Sequence, residues 1–342
     1  MFNYHWDFKD YPKEKTHKVF GTFICGGGSS MGYKLAGLNH LGGVEIDPKI
    51  AEIYKANHLP KYLYNEDIRT FINREDLPSE LFDLDILDGS PPCSSFSMSG
   101  SREKAWNQSK KFREGQAEQK LDDLFFHYID LIKKLQPKVF IAENVTGMLM
   151  GNARAYVKEI LEKMNKANYN VQLFLLNGAT MGIPQRRERL FFIGLRKDIS
   201  KPKLNLEFSL KPITFRQIKN NNGKEVRGVP DGQHMAWKGR KFGDKGLDSY
   251  YLRTIGKSRN FSRRYLYEDD VPATIIASNL PLLYSEPRCV NLDELLSIGS
   301  FPRSYNFQDI NPNYLIGMSV PPVMTAQIAY QIKKQWLEYE GP

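Results

Sequence analysis

Three cysteines in 342 residues, Cys25, Cys93 and Cys289, stand far apart with no Cys-x-x-Cys pair among them. That scarcity argues against a disulfide framework and against a structural zinc site, and it suits thiols kept reduced. The six histidines, His5, His17, His40, His58, His127 and His234, show no metal-ligand spacing, so no metal is expected. No apolar run approaches the length of a membrane span. The opening MFNYHWDFKDYPKEK is aromatic and charged, where a secretory signal would be basic and then apolar. It reads as the mature N-terminal arm of a cytoplasmic protein. Internal repeats are missing, and low complexity is confined to the NNN run at 220–222.

What is present is an ordinary globular composition, 41% hydrophobic and 25% charged, in a chain long enough for one large domain and one small one. The formal charge of +9 leans towards a polyanionic partner, although solubility alone accounts for it equally well.

Residues 19 to about 200 alternate short apolar runs with helical periods. VFGTFI (19–24), GGVEI (42–46), LFDLDIL (81–87), VFIAENV (139–145), VQLFLL (171–176) and LFFIGL (190–195) read as strands. Leu121, Leu124, Phe125, Tyr128, Ile129, Ile132 and Leu135 fall at helical offsets and stop at Pro137; Tyr156, Val157, Ile160, Leu161 and Met164 form a second such stripe. Strand, helix, strand in succession predicts an α/β fold, a doubly wound, mostly parallel, Rossmann-like sheet. From 197 the texture turns polar and proline-bearing, and 213–270 mix Gly, Asn, Arg, Lys and aromatics, as in a small loop-rich domain. Helical spacing returns at 323–337. The expected division is 1–200, 201–286 and a returning segment 287–342.

FICGGGSSMG (23–32) follows the first strand, and Glu45 closes the second. Successive glycines let backbone approach a ligand, and an acid at that spacing suits ribose hydroxyls. The pair fits nicotinamide, flavin and adenosylmethionine enzymes alike, and a plain tight turn gives the same pattern. Asp67, in NEDI between GGVEI and LFDLDIL, stands where an adenine amino group is read, or is a solvated loop acid.

Three polar features fall at or just past strand ends, where open α/β sheets gather catalytic groups: Cys93 in DGSPPCSSFSMSG (88–100), Glu143, and QRRER (185–189). Prolines before Cys93 pin its backbone and aim the thiol. A thiol, an acid and paired guanidinium groups are what methylation of cytosine C5 requires. Thiolate addition at C6 makes C5 nucleophilic, an acid at N3 assists that addition, and arginine at O2 offsets the developing charge. Nearby cations favour the thiolate.

These residues together resemble the DNA (cytosine-5) methyltransferases, bacterial or phage restriction-modification type, over nearly the whole catalytic portion. FICGGGSSMGYKLAG is similar to that family's adenosylmethionine loop, VEIDP to its ribose-binding acid, GSPPCSSFS to its Pro-Cys loop, ENV to its glutamate motif and NGATMGIPQRRERLFFIG to its arginine motif. The stretch 288–305, ending GSFPRSY, resembles its late motif and IGMSVPP (316–322) its closing one. The resemblance implies Cys93 as nucleophile, Glu143 on N3 and the exocyclic amine, and Arg187 and Arg189 on O2 and the active-site loop. Pro92 would shape that loop and Asn144 order it. For S-adenosyl-L-methionine it implies Phe23 on adenine, the Gly27–Gly28 backbone beside the methionine part and Glu45 with Ile46 at the ribose. Asp67 and Ile68 would meet adenine, with Ser319 and Val320 near the methionine end. Four departures stand out: Cys25 where glycine is usual, Ser94 where glutamine is usual, Asp293 for arginine and Met318 for asparagine.

The implied substrate is duplex DNA with the target base flipped out. The polar stretch after Cys93 is expected to be a mobile lid in which Ser94, Lys110, Lys111 and Arg113 meet DNA. Residues 201–286 are expected to be the target-recognition domain, with Gln233, His234, Trp237, Arg240, Arg259 and Arg263 as candidate contacts. A cognate restriction endonuclease, with no stable complex, and a monomeric state follow from the resemblance. A tRNA cytosine-5 methyltransferase, a catalytically inactive DNA-binding regulator and, more distantly, a dinucleotide oxidoreductase remain as alternatives.

Overall fold

The computed structural model describes residues 2–92, 123–151, 153–223 and 226–339. Its main sheet comprises β1 (Thr16–Thr22), β2 (Leu38–Val44), β3 (Tyr62–Tyr64), β4 (Ile86–Gly89), β5 (Val139–Val145), β6 (Tyr169–Asn177) and β7 (Glu188–Arg196). Their spatial order is β3-β2-β1-β4-β5-β7-β6. The block from β3 to β5 pairs in parallel, while β7 runs antiparallel to both β5 and β6. The chain winds outward from β1 to β3, then returns to lay β4 against the other flank of β1. The ends of β1 and β4 therefore form the topological switch point at which open sheets bind ligands. The mostly parallel, doubly wound sheet expected from the sequence is what forms.

Val19, Phe20, Ile86, Leu87, Val139 and Phe140 have no exposed surface, as strands covered on both faces require. The helix Leu124–Leu135 buries every expected position from Leu124 onward, and Leu131 as well. Leu121 lies outside the described residues. Each such large side chain contributes about 1.5–3 kcal/mol on burial. Gln136, at φ 48°, and Pro137 end this helix. The second amphipathic stripe lies on the helix Ala153–Lys166.

Strand limits differ from expectation in informative ways. LFDLDIL does not form one strand: Ser79–Phe82 is a single 3-10 turn, and only Ile86–Gly89 extends. Leu81 and Leu84 are buried three residues apart while Phe82 is exposed, which is the spacing of a helical turn. β1 stops at Thr22 because Phe23 adopts φ 54°. β2 starts four residues before GGVEI, so Glu45 follows its last residue.

The chain divides into two compact units. One, Tyr11–Asn177 with Glu188–Glu207 and Thr325–Pro342, carries the seven-stranded sheet. The other comprises Met1–Asp10, Gly178–Arg187 and Phe208–Met324. It has a short parallel pair, β8 (Tyr265–Leu266) with β9 (Leu282–Leu283), and short helices such as His234–Lys238 and Asp248–Ile255. A small core of Val229, Ala236, Leu247, Tyr265, Leu282 and Cys289 sits beneath them. An ionic chain runs from Glu268 through Lys219, Glu286 and Arg288 to Glu294, which is fully buried and closes the capping box of the helix Leu292–Gly299. The N-terminal arm belongs to this unit, with Trp6 buried and its Nε1 donating to the Ser300 carbonyl at 2.8 Å.

Candidate active site

The first polar feature is the loop after β1. Phe23 at φ 54°, Cys25 at φ 46° and Gly27 at φ 84° all take left-handed backbone, and Gly27 launches the helix Gly28–Leu35. For Phe23 and Cys25 this conformation costs about 1–2 kcal/mol each relative to glycine. The positive φ at Cys25 gives a physical reason for the glycine usual at that place. Contacts from outside the loop hold it in shape. The Cys25 N–H donates to Glu45 Oε2 at 2.9 Å, and the Asp47 N–H donates to Glu45 Oε1 at 2.9 Å.

Glu45 is thus a buried acid just past β2, gripped by two backbone donors. Burial pushes its carboxyl up to about 7, against the pull of those N–H groups. Asn65 donates to the Glu45 carbonyl at 2.7 Å. Ile46 beside it is exposed, and Ile68 is buried. Asp67 caps the short helix Ile68–Phe71 and pairs with Arg69 at 2.9 Å, so its carboxylate already has a cationic partner. Bare backbone at a helix start, a neighbouring buried carboxylate and a further acid at the next strand's exit form a donor and acceptor set that fits a nucleoside cofactor.

The second feature is at the ends of β4, β5 and β7. Glu143 and Arg189 occupy diagonal positions on adjacent antiparallel strands, with Val145 opposite Arg189. Their Oε1 and Nε are 2.8 Å apart, and both side chains are largely buried. Asn144 is buried; its Nδ2 donates to the Pro91 carbonyl at 3.1 Å, and its Oδ1 accepts the Val145 N–H. Strand β5 therefore grips the backbone of the Pro-Pro turn. Pro91 is buried and Pro92 half-buried. Cys93, Ser94, Lys110, Lys111 and Arg113 lie outside the described residues.

Sequence reasoning passed over Asp88. Its buried carboxylate accepts the Tyr33 hydroxyl at 2.8 Å. Burial pushes its carboxyl up to about 7; the Tyr33 bond opposes this, and the neighbouring Glu143 charge adds to it. Next to it, a Cβ on Gly89 would stand 2.5 Å from the Tyr128 ring and 2.7 Å from Thr22 Oγ1, so only glycine lets the chain leave β4 here. Tyr128 in turn donates to the carbonyls of Leu87 and Ile141, both at 2.8 Å. The signal was available: Asp88 is an acid ending an apolar strand, the pattern that singled out Glu45 and Glu143.

The remaining candidates belong to the second unit. Arg187 is buried, its guanidinium donating to the carbonyls of Ile275 at 3.3 Å and Gly317 at 3.0 Å. QRRER is thus split, with Arg187 in one unit and Arg189 in the other. Ser319 and Val320 are buried after the helix Pro312–Met318, and Ser319 Oγ donates to the Leu315 carbonyl at 2.7 Å. Arg240 lies 3.6 Å over the Trp237 ring and donates to the carbonyls of Tyr284 and Trp237. Arg263 donates to the Leu280 carbonyl at 2.6 Å and to Asn279 Oδ1 at 3.1 Å. Arg259 is exposed and lies over Tyr251 at 5.4 Å, and Gln233 precedes the helix His234–Lys238 half-buried. Asp293 accepts from Asn220 at 3.1 Å, and Met318 is exposed. Among the described residues no His, Cys, Asp or Glu group is arranged to hold a metal, and no helix is long and apolar enough to cross a membrane.

Residues 18–334 match the family model for C-5 cytosine-specific DNA methylases. The Type II methyltransferase M.FnuDI of Fusobacterium nucleatum is 37% identical over 202 residues, which is 59% of this chain and 53% of the relative. M.NgoPII of Neisseria gonorrhoeae is 36% identical over 59% of this chain and 55% of its own length. The matches to these two relatives therefore span about half of each relative's length. M1.HphI of Haemophilus parahaemolyticus is 27% identical over 91% of this chain and 85% of its own. Among solved structures, a prophage-encoded Escherichia coli protein assigned as a DNA modification methyltransferase superposes with a TM-score of 0.67 at 18% identity, covering 94% of this chain and 99% of that one. Spodoptera frugiperda DNMT2 superposes with a TM-score of 0.62 at 17% identity, covering 93% and 99%. At such identities these two likenesses speak for the fold.

Proposed function

The chain belongs to the C-5 cytosine-specific DNA methylase family, and from that premise we propose that it transfers a methyl group from S-adenosyl-L-methionine to C5 of a cytosine flipped out of a short, specific duplex DNA sequence. The observation that carries this reading is the polar set at the ends of β4, β5 and β7. There Glu143 is held by Arg189, and Asn144 holds the Pro91 carbonyl two residues before Cys93.

S-adenosyl-L-methionine supplies a methyl group activated on a sulfonium. The Cys93 thiolate adds to C6, forming a carbon–sulfur bond and making C5 enamine-like. The Glu143 carboxyl donates its proton towards N3, which withdraws charge during that addition, and accepts from the exocyclic amine. Arg189, already oriented by Glu143, and Arg187 offset charge at O2 and steady the loop. The enamine-like C5 is then the nucleophile to which the bound donor would give its methyl group. Loss of the C5 proton to water and expulsion of the thiolate restore the aromatic ring. Pro92 and Asn144 position the thiol. On the cofactor side, Phe23, Gly27, Gly28, Glu45, Ile46, Asp67, Ile68, Ser319 and Val320 would form the binding surface. Glu45, neutral or charged near pH 7, suits paired ribose hydroxyls because it both accepts and, when protonated, donates.

Duplex DNA is the proposed partner, met by the lid residues Ser94, Lys110, Lys111 and Arg113 and by a recognition segment spanning 201–286. The segment 231–264 supports this with nine Lys and Arg against three Asp. A cytoplasmic monomer working alongside a restriction endonuclease is proposed from the kinship with Type II methyltransferases. The test is incubation with S-adenosyl-L-methionine and duplexes carrying 5-fluorocytosine, with 5-fluorocytosine-substituted tRNA in parallel. A covalent protein–DNA adduct that Cys93→Ser abolishes is expected. Adducts on tRNA only, or on neither, would overturn the proposal.

A further inference from the structure

His58 is the last residue of the helix Pro48–His58, which Asp47 caps just after Glu45. It is buried, and its ring turns back onto the glycine loop. His58 Nε2 lies 3.2 Å from the Gly26 carbonyl oxygen. A Cβ on Gly27 would collide with the same ring, so Gly27 and His58 are fitted to each other.

The ring is set from several directions. Tyr54, one turn earlier, stacks on it with centroids 4.4 Å apart and planes 30° off parallel. Lys34, on the helix that the loop launches, donates from Nζ to the His58 carbonyl at 2.9 Å. The Tyr54 hydroxyl donates to Ser30 Oγ at 3.0 Å, tying the two helices together a second time. Burial, with the Lys34 charge adding to it, pulls the imidazole down to about 3, so the ring is neutral at working pH. A neutral ring with its proton on Nε2 is the tautomer that donates to a carbonyl.

We propose that His58 is a positioning residue for the methyl-donor loop, its Nε2–H holding the Gly26 carbonyl and its ring seating Gly27. The inference rests on the reading of this loop as the cofactor site. His58 touches no reacting atom; it acts through the shape of Cys25–Gly28, a stretch whose left-handed turns need support from outside. A ring that only filled space would make no use of its nitrogen.

Isothermal titration of S-adenosyl-L-homocysteine into the full chain separates these roles. His58→Phe keeps the ring on Tyr54 and removes the donor; His58→Gln removes the ring and keeps an amide donor within reach of Gly26. We expect His58→Phe to weaken binding about tenfold, the equivalent of one hydrogen bond, and to lower the melting temperature by about 3 °C because the Gly26 carbonyl loses the ring donor. His58→Gln should bind within about threefold of wild type. Binding by His58→Phe equal to wild type, or by His58→Gln as weak as by His58→Phe, would overturn the proposal. Should His58→Phe fail to fold, His58→Gln against His58→Asn, one methylene too short to reach, decides: equal affinities would sink it. Wild type that does not bind S-adenosyl-L-homocysteine would instead remove the cofactor reading on which the inference stands.

Discussion

In the sheet unit, backbone polar groups are paired strand to strand, and side chains at strand ends are released for chemistry. In the unit around Phe208–Met324, regular structure is short, and side chains do the pairing instead. Arg240, Arg253, Arg263, Trp237 and Asn313 all donate to carbonyls there. The same residue type therefore has different meanings in the two regions. At the start of β7 an arginine faces a carboxylate, whereas in the second unit an arginine is often the hydrogen-bond partner that irregular chain needs. A basic residue in a loop-rich unit is weak evidence of a DNA contact until its donors are traced.

The largest expected effect lies in the sheet unit. Glu143→Gln should lower the methyl-transfer rate by about 10²–10³-fold, leaving S-adenosyl-L-homocysteine affinity within about twofold. A rate near wild type in a radiolabelled transfer assay would break the claim that strand-end side chains carry the chemistry. In the second unit, Arg263→Ala strands the Leu280 carbonyl and should cost about 1–3 kcal/mol in denaturant unfolding. The salt slope of DNA binding should stay as in wild type. Arg259→Ala, an exposed residue, should do the reverse, flattening that slope by about one unit with unfolding unchanged. Swapped outcomes would erase the distinction between structural and DNA-facing arginines.

A smaller effect concerns Asp88. Its carboxyl sits at about 7 in the folded chain against 3.8 normally, so between those values the folded chain holds a proton that the unfolded chain has released. Its stability contribution is present below about pH 4 and is lost as pH rises through 7. Asp88→Asn, which keeps an acceptor for Tyr33, should gain on wild type by about 3 °C in melting temperature between pH 5.5 and pH 8. A constant gap would remove the buried-acid account. Glu45, raised in the same direction, contributes with the same sign. The smallest effect is at Cys25, where φ is 46°. Cys25→Gly should stabilise by about 1 kcal/mol, read as a higher denaturation midpoint.

Much of the sheet unit is legible in the sequence. VFIAENV is β5 residue for residue, and the apolar stripe of Leu124–Leu135 is buried as its spacing required. Glycine runs, proline pairs and acids closing apolar runs are local signals, because a strand's end is set by the residues that cannot extend it. The misplaced start of β4 has the same origin: Leu81 and Leu84 satisfy a helical turn and a strand equally until burial decides between them.

The chain's own order of residues determined the family motifs, the parallel winding and the chemistry available at the strand ends, since these depend on short-range pattern and residue type. Tertiary structure alone decided that Asp88 stands beside Tyr33 and Glu143, and that Arg189 of QRRER meets Glu143. It also decided that Arg263 serves a carbonyl and that His58 returns to Gly26. Each is a pairing between residues 16 to 55 positions apart. No local pattern encodes such a distance; only the folded chain, by excluding water, makes each buried polar group find a partner.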